Sequence, residues 1–272
     1  MLPALNINDW CDSRDSIHQY ARIMGKVRST FMPRTRHWWH ITLYVNNRGL
    51  TTLSFIANDK AVVIELDLID SALHLIGIDN WRYTLKLSGQ TSASVAEFLR
   101  DAMQEQGIIL DPNVLMPFDG SDTLHMDVAK TDDFRRAANW INLVFREFKG
   151  RLSKDTGPVH LFPHHLDISL NWFSGRLVPG QDPEDEENAD EQMNFGFVTG
   201  DASIEEAYFY ATAYPNPEGW GEIELPGAAY WHTEGWIGGV LPYSALVDVT
   251  DPRKVLLDYL HTMHEHGSSL MR

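Results

Sequence analysis

Cysteine is almost missing from this sequence: Cys11 is the single one in 272 residues. That excludes an internal disulfide and every zinc cage built on cysteine pairs. Basic clusters are missing too. The chain carries 22 basic side chains against 38 acidic ones, a formal charge of −16, with no run of Lys or Arg. Such a field repels phosphate backbones and anionic lipids, so neither nucleic acid nor a membrane surface is an expected partner. Apolar runs such as Ala61–Ile64 are far too short to cross a bilayer. Met1-Leu2-Pro3-Ala4-Leu5-Asn6 lacks the basic-then-apolar order of a secretory signal, and a reducing cytoplasm is the expected location.

Signature motifs are equally scarce. No GxGxxG follows a strand pattern, and P-loop, GxSxG, kinase and HExxH motifs are missing. Glu205 and Glu206 would point to opposite faces of a strand, which does not make a glycosidase pair. What is present is an ordinary globular balance, 43% hydrophobic and 22% charged, with nine tryptophans that suit a rigid core or an aromatic-lined pocket.

The pattern predicts an α+β fold in two related halves, about 1–115 and 116–272, each with a mainly antiparallel sheet and packed helices. A first helix, capped by Asn8 or Asp9, runs to about Thr30 with Ile17, Tyr20, Met24 and Val27 on one face. Strands follow over His37–Val45, Leu50–Ile56, Ala61–Ile69, Ala72–Ile78 and Trp81–Leu87. Their short turn-like separators imply a meander, because parallel strands need longer crossovers. A helix over Ser92–Gln106 stops at Gly107. In the second half a helix capped by Thr131 precedes a long strand, Val159–Trp172. Further strands lie near Ala207–Tyr214, Ala228–His232 and Gly239–Leu246, and a last helix is capped by Asp251 with Pro252 at its first position. The segment 181–192 is acidic with no basic residue and reads as a solvated loop, lacking the ligand spacing of an EF-hand.

Two histidine-bearing strands stand out. Alternate residues of a strand share a face. His40, Thr42, Tyr44 and Asn46 then form one polar face, and His165, Asp167, Ser169 and Asn171 form another. Each is followed by an Arg/Gly turn, containing Arg48 and Arg176. A His and an Asp on one face can share a metal ion or act as a base with its orienter. His40, His165 and Asp167, with His232, make up a candidate ligand set for a divalent metal such as zinc, iron or manganese. The same three with Tyr44 are candidate acid–base residues. Pro163 cannot donate to a ladder and can shift this face assignment. Tyr208, Tyr210 and Tyr214 share a strand face, and a row of tyrosines suits an organic ligand.

The chain resembles a bacterial family of uncharacterised proteins known as domain of unknown function 5996. The resemblance covers nearly the whole length. It rests on Gly25-Lys26-Val27-Arg28, His37-Trp38-Trp39-His40, Leu43-Tyr44-Val45, Arg48-Gly49-Leu50-Thr51-Thr52, Pro158-Val159-His160-Leu161-Phe162, Asp167, Phe173-Ser174-Gly175-Arg176, Ala213-Tyr214-Pro215 and Leu241-Pro242-Tyr243. It implies no activity. At Pro163-His164-His165 the chain departs from the Trp-Gly associated with the family, which weights His40 and Asp167 above His165.

The expected function is therefore a small-molecule-binding enzyme with a His/Asp/Tyr-lined cleft. In it Arg48 and Arg176 hold an anionic group, Trp38, Tyr208, Tyr210 and Tyr214 line the ligand, and a divalent metal is optional. The alternatives are a non-catalytic small-ligand-binding protein and a protein-interaction module.

Overall fold

Turn chemistry and alternation decide where each element starts and stops. The computed structural model describes residues 2–185 and 187–271, so Glu186 of the acidic segment lies outside the described residues. The fold is α+β with two antiparallel sheets. The chain forms two units, here the N-terminal unit (Trp10–Asn139 with Leu161–Leu166) and the C-terminal unit (Met1–Asp9, Trp140–His160 and Asp167–Arg272). No helix among the described residues is long and apolar enough to cross a membrane.

Helix α1 (Ile7–Phe31) buries Ile17, Tyr20, Met24 and Val27 as the spacing predicts, and Ile23 with them. Its start is earlier than expected. Asn6, rather than Asn8 or Asp9, takes the first N–H groups: Asn8 N–H donates to its Oδ1 at 3.2 Å and Asp9 N–H to its carbonyl at 2.9 Å.

The N-terminal meander comprises β1 (Tyr44–Asn46), β2 (Gly49–Thr51), β3 (Phe55–Ala57), β4 (Lys60–Asp67), β5 (Ala72–Gly77) and β6 (Arg82–Lys86). The order is β1-β2-β4-β5-β6, with β3 paired to β4. The single strand expected over Leu50–Ile56 is split. Leu53 is left-handed (φ 52°), and the Thr52 hydroxyl takes the Ile64 N–H at 2.9 Å and donates to the Leu53 carbonyl at 2.8 Å. A side chain has replaced a ladder bond there.

Helix α2 (Ser92–Glu105) begins with a reciprocal Thr91/Ser94 capping box. Gly107 stops the segment in the left-handed region (φ 71°). A short α3 (Pro112–Leu115) is capped by Asp111. Next, α4 (Val128–Arg151) starts from Asp127, not Thr131: Asp127 Oδ1 accepts the N–H groups of Ala129 (2.8 Å) and Lys130 (3.2 Å). Thr131 is fully buried inside the first turn.

The remaining elements are β7 (His160–Phe162), β8 (Asp167–Leu177), β9 (Asp190–Val198), β10 (Tyr208–Tyr214), β11 (Tyr230–His232), β12 (Gly238–Pro242) and α5 (Pro252–Leu270). In the C-terminal unit the strands order as β11-β12-β10-β9-β8. Asp251 caps α5 as predicted, accepting the Lys254 N–H at 2.9 Å.

Alternation divides this sheet. One face presents Leu170, Met193, Phe195, Phe197 and Phe209 to helices. Phe148 of α4 meets Phe195 edge-on at 5.0 Å, and Tyr259 of α5 donates to the Gly239 carbonyl at 2.7 Å. Each fully buried side chain of this kind stabilises the fold by about 1.5–3 kcal/mol. The helices thus occupy the apolar face, and the polar set lies on the other.

Candidate functional site

The first histidine strand does not form as predicted. Only Tyr44–Asn46 is strand; Arg36–Ile41 is a 3-10 stretch in which His37 (φ 53°) and Trp38 (φ 59°) are left-handed. Left-handed backbone costs an L residue roughly 1–2 kcal/mol, and a nearby side chain holds it. Arg28 Nη1 donates to the carbonyls of Trp39 (3.0 Å), His40 (2.9 Å) and Thr42 (2.8 Å). Gly25 leaves room for this arrangement, since a Cβ there would lie 2.5 Å from Pro163 Cγ and 3.0 Å from the Ile41 carbonyl oxygen. Gly25, Arg28, the His37–His40 stretch and Pro163 therefore make a structural brace.

The second histidine strand is interrupted as well. It halts after Phe162, and Pro163–Leu166 is a turn that ends with Leu166 left-handed (φ 55°) before β8 resumes at Asp167. His165 is consequently not a facial neighbour of Asp167. It sits exposed in the turn with its ring 5.0 Å from that of His164, and the His164 carbonyl contacts His18 Nε2 at 3.0 Å. Neither of the two continuous histidine strands expected from the sequence is therefore formed.

The other N-terminal candidates have partners within their own unit. His40 is buried and its Nδ1 accepts the Thr35 N–H at 3.3 Å. Tyr44 lies under the Arg28 guanidinium (5.8 Å) and Trp38 under that of Arg34 (4.8 Å). Arg48, expected to hold an anionic ligand, is bound to Asp67 (2.6 Å) and Asp70 (2.5 Å). In the C-terminal unit Arg176 is likewise bound to Glu191 at 2.6 Å. Among the described residues no group of three or more His, Cys, Asp or Glu is placed to hold a metal ion.

What the C-terminal unit does gather is a polar sheet face. Pairing places Ser169, Gly196, Tyr210, Val240 and Tyr230 in one cross-strand row, and Asn171 beside Asn194 in the next. Tyr210 lies flat across Gly196: a Cβ at 196 would fall 2.1 Å from Tyr210 Cζ. That pose carries its hydroxyl over β9 to β8, where it donates to Asp167 Oδ2 at 2.9 Å. Burial, and then the neighbouring Asp167 carboxylate, push the Tyr210 phenol well above its usual value, so it stays a protonated donor.

The surroundings extend this network. Ser169 donates to Asn194 Oδ1 at 2.7 Å. Tyr208 donates to Asp201 Oδ2 at 2.6 Å and stacks on Trp236, whose ring is 4.4 Å from that of His232. Burial alone would raise the Asp201 carboxyl, but the Tyr208 hydroxyl and the N–H groups of Ile204 and Ser203 outweigh it and hold the carboxyl below its ordinary range. His232 Nε2 contacts the Glu234 carbonyl at 2.8 Å, which makes it an N–H and leaves Nδ1 the acceptor of the neutral ring. Tyr214 lies farther along β10, where Gln181 Nε2 donates to its hydroxyl at 3.3 Å.

One acceptor in this network is empty. Asn171 is 7% exposed, and its Oδ1 is buried without a hydrogen-bond partner. Its orientation is fixed from outside: Gln192 Nε2 donates to the Glu187 carbonyl, leaving Gln192 Oε1 to accept Asn171 Nδ2 at 3.0 Å. A buried unsatisfied carbonyl costs about 1–3 kcal/mol. Gly196, Asn194, Asp201 and Trp236 were not singled out from the sequence, although the alternation Met193/Phe195/Phe197 marks β9. The acidic stretch before it draws the eye instead.

A family model described as "Family of unknown function (DUF5996)" matches residues 2–272. No curated protein and no solved structure matches the chain.

Proposed function

We propose that this chain, which belongs to the DUF5996 family of unknown function, binds a small organic molecule on the polar sheet face of its C-terminal unit. The observation that carries the reading is the empty Asn171 Oδ1, buried on a face where the Ser169 and Tyr210 hydroxyls already donate elsewhere. Such a position asks for a donor from a bound molecule. Asp167, Ser169, Asn171 and Tyr210 would orient the ligand, with Tyr208, His232 and Trp236 along its edge. If the bound molecule is turned over, Asp167 is the group suited to take its proton, since Tyr210 is held protonated.

A metabolite library screened by thermal shift tests this. A ligand at a hundred times its Kd adds about 2.7 kcal/mol to folding stability. Binding should be lost in Asn171→Leu and weakened in Asp167→Asn. The reading fails if Asn171→Leu is more stable than the parent and keeps every ligand the parent binds. Analysis of the bound mixture by mass spectrometry then separates turnover from plain binding.

A further inference from the structure

We infer that the C-terminal unit holds a second, separate site, which takes a small organic amine. A cavity of about 500 Å³ lies beside Ile7 and Asn8 and is bounded by Glu205–Ala207 and Tyr243–Asp248. Small-molecule sites fall in the range of about 300–1,000 Å³.

Its floor is apolar: Leu5, Ala207 and Tyr243 are buried, and Ile7 and Val247 complete it. The charged lining has one sign. Glu205, Glu206 and Asp248 contribute carboxylates, and no Lys, Arg or His lines the cavity. None of the three carboxylates forms an ion pair among the described residues. Nor are they needed to satisfy the start of α1, because Asn6 already accepts the Asn8 and Asp9 N–H groups.

The walls are also fixed in place. Tyr243 N–H donates to the Ala207 carbonyl at 2.8 Å, and the Tyr243 hydroxyl donates to the Pro3 carbonyl at 2.8 Å. Ser244 donates to Glu206 Oε2 at 2.7 Å, which orients that carboxylate and leaves Oε1 for a ligand. An apolar floor below uncompensated carboxylates selects a cation with a hydrocarbon body and repels anions. A preformed cavity spends little ordering its own groups on binding.

The test is calorimetric titration of the whole chain with hexylamine, hexanol and hexanoate at physiological ionic strength, up to about 10 mM ligand. Hexylamine should bind saturably with one site, and the other two should not. Glu205 and Glu206 are exposed, so Glu205→Gln and Glu206→Gln should each weaken it roughly two- to fivefold, the range given by exposed ion pairs. Val247→Trp, which fills the cavity, should abolish binding. Asp182→Asn/Glu184→Gln removes equal charge from the acidic segment and should leave the affinity unchanged, as should Asn171→Leu. Absence of saturable binding, equal binding of hexanol, or equal weakening by the charge-matched control overturns the proposal. That last result would mean that the net charge of the chain merely collects cations. Loss in Asn171→Leu alone would assign the amine to the sheet face and equally overturn it.

Discussion

Adding one methyl group at position 196 should dismantle the polar network without touching any polar atom. An alanine Cβ there would lie 2.1 Å from Tyr210 Cζ and 2.3 Å from its hydroxyl oxygen. Real carbons do not approach that closely, so either the β9 backbone shifts or the phenol swings away from Asp167. Overpacking of this kind costs about 1–3 kcal/mol. A hydrogen bond to a charged acceptor, here 2.9 Å long, contributes about 1.5–3 kcal/mol. The two losses overlap, because a ring that leaves relieves the clash, and Gly196→Ala should destabilise by about 2–4 kcal/mol. Urea denaturation followed by tryptophan fluorescence reads this as a lower midpoint with unchanged slope. Tyr210→Phe should lose only the hydrogen-bond share. The decisive comparison is the Tyr210→Ala background, where nothing remains to collide with, so adding Gly196→Ala should then cost less than about 0.5 kcal/mol. A full penalty in that background, or a Gly196→Ala protein as stable as its parent, refutes the reading of Gly196 as the seat of Tyr210.

Arg28→Lys should destabilise the chain by about 3 kcal/mol, because one ammonium cannot reproduce the guanidinium geometry over three carbonyls; a change below about 0.5 kcal/mol in thermal or urea unfolding would discount the brace. Burial alone would raise Asp67, but the Asp70 N–H, Arg48 and the Ile69 N–H outweigh it and keep the carboxyl below its usual value, as happens at Asp201. Folded pKa values below the unfolded ones mean that this stabilisation is whole above about pH 4 and disappears as pH falls through the folded values. Asp67→Asn and Asp201→Asn should therefore lose stability near neutrality and show a shallower acid limb. His264 has a pKa lowered from 6.5 first by burial and then by His261, and its buried Nε2 has no partner beside Trp172. Its stabilisation is whole above pH 6.5 and shrinks as acid charges the ring, so His264→Phe should flatten the melting temperature between about pH 5 and 7; an unchanged slope would count against it.

Several of these features were visible in the residue string. The Tyr208/Tyr210/Tyr214 face follows from strict alternation with Ala207, Phe209 and Ala211, and β10 carries it as read. Asp251-Pro252 specifies a helix start by chemistry confined to one turn. Neither histidine stretch is a continuous strand, because each is bent where it meets a residue of α1. His37-Trp38-Trp39-His40 looks like a strand because large and aromatic residues favour pleated backbone, yet Arg28, about ten residues upstream, collects its carbonyls and bends it into left-handed geometry. In the second, Pro163 was a visible warning, but its packing against Gly25 was not.

By itself the sequence determined the α+β class, the antiparallel meander, the helix cap held by Asp251, and the polar alternation of the strands that carry Asp167 and Tyr210. These are local or period-two properties, fixed by a few neighbouring side chains. Tertiary structure alone decided which polar groups meet. Tyr210 reaches Asp167 because register sets a glycine between them, and Asn171 Oδ1 is left empty because Gln192 is turned to Glu187. Tyr210 and Asp167 lie 43 residues apart, and contacts at that separation depend on strand pairing, which local propensity does not encode.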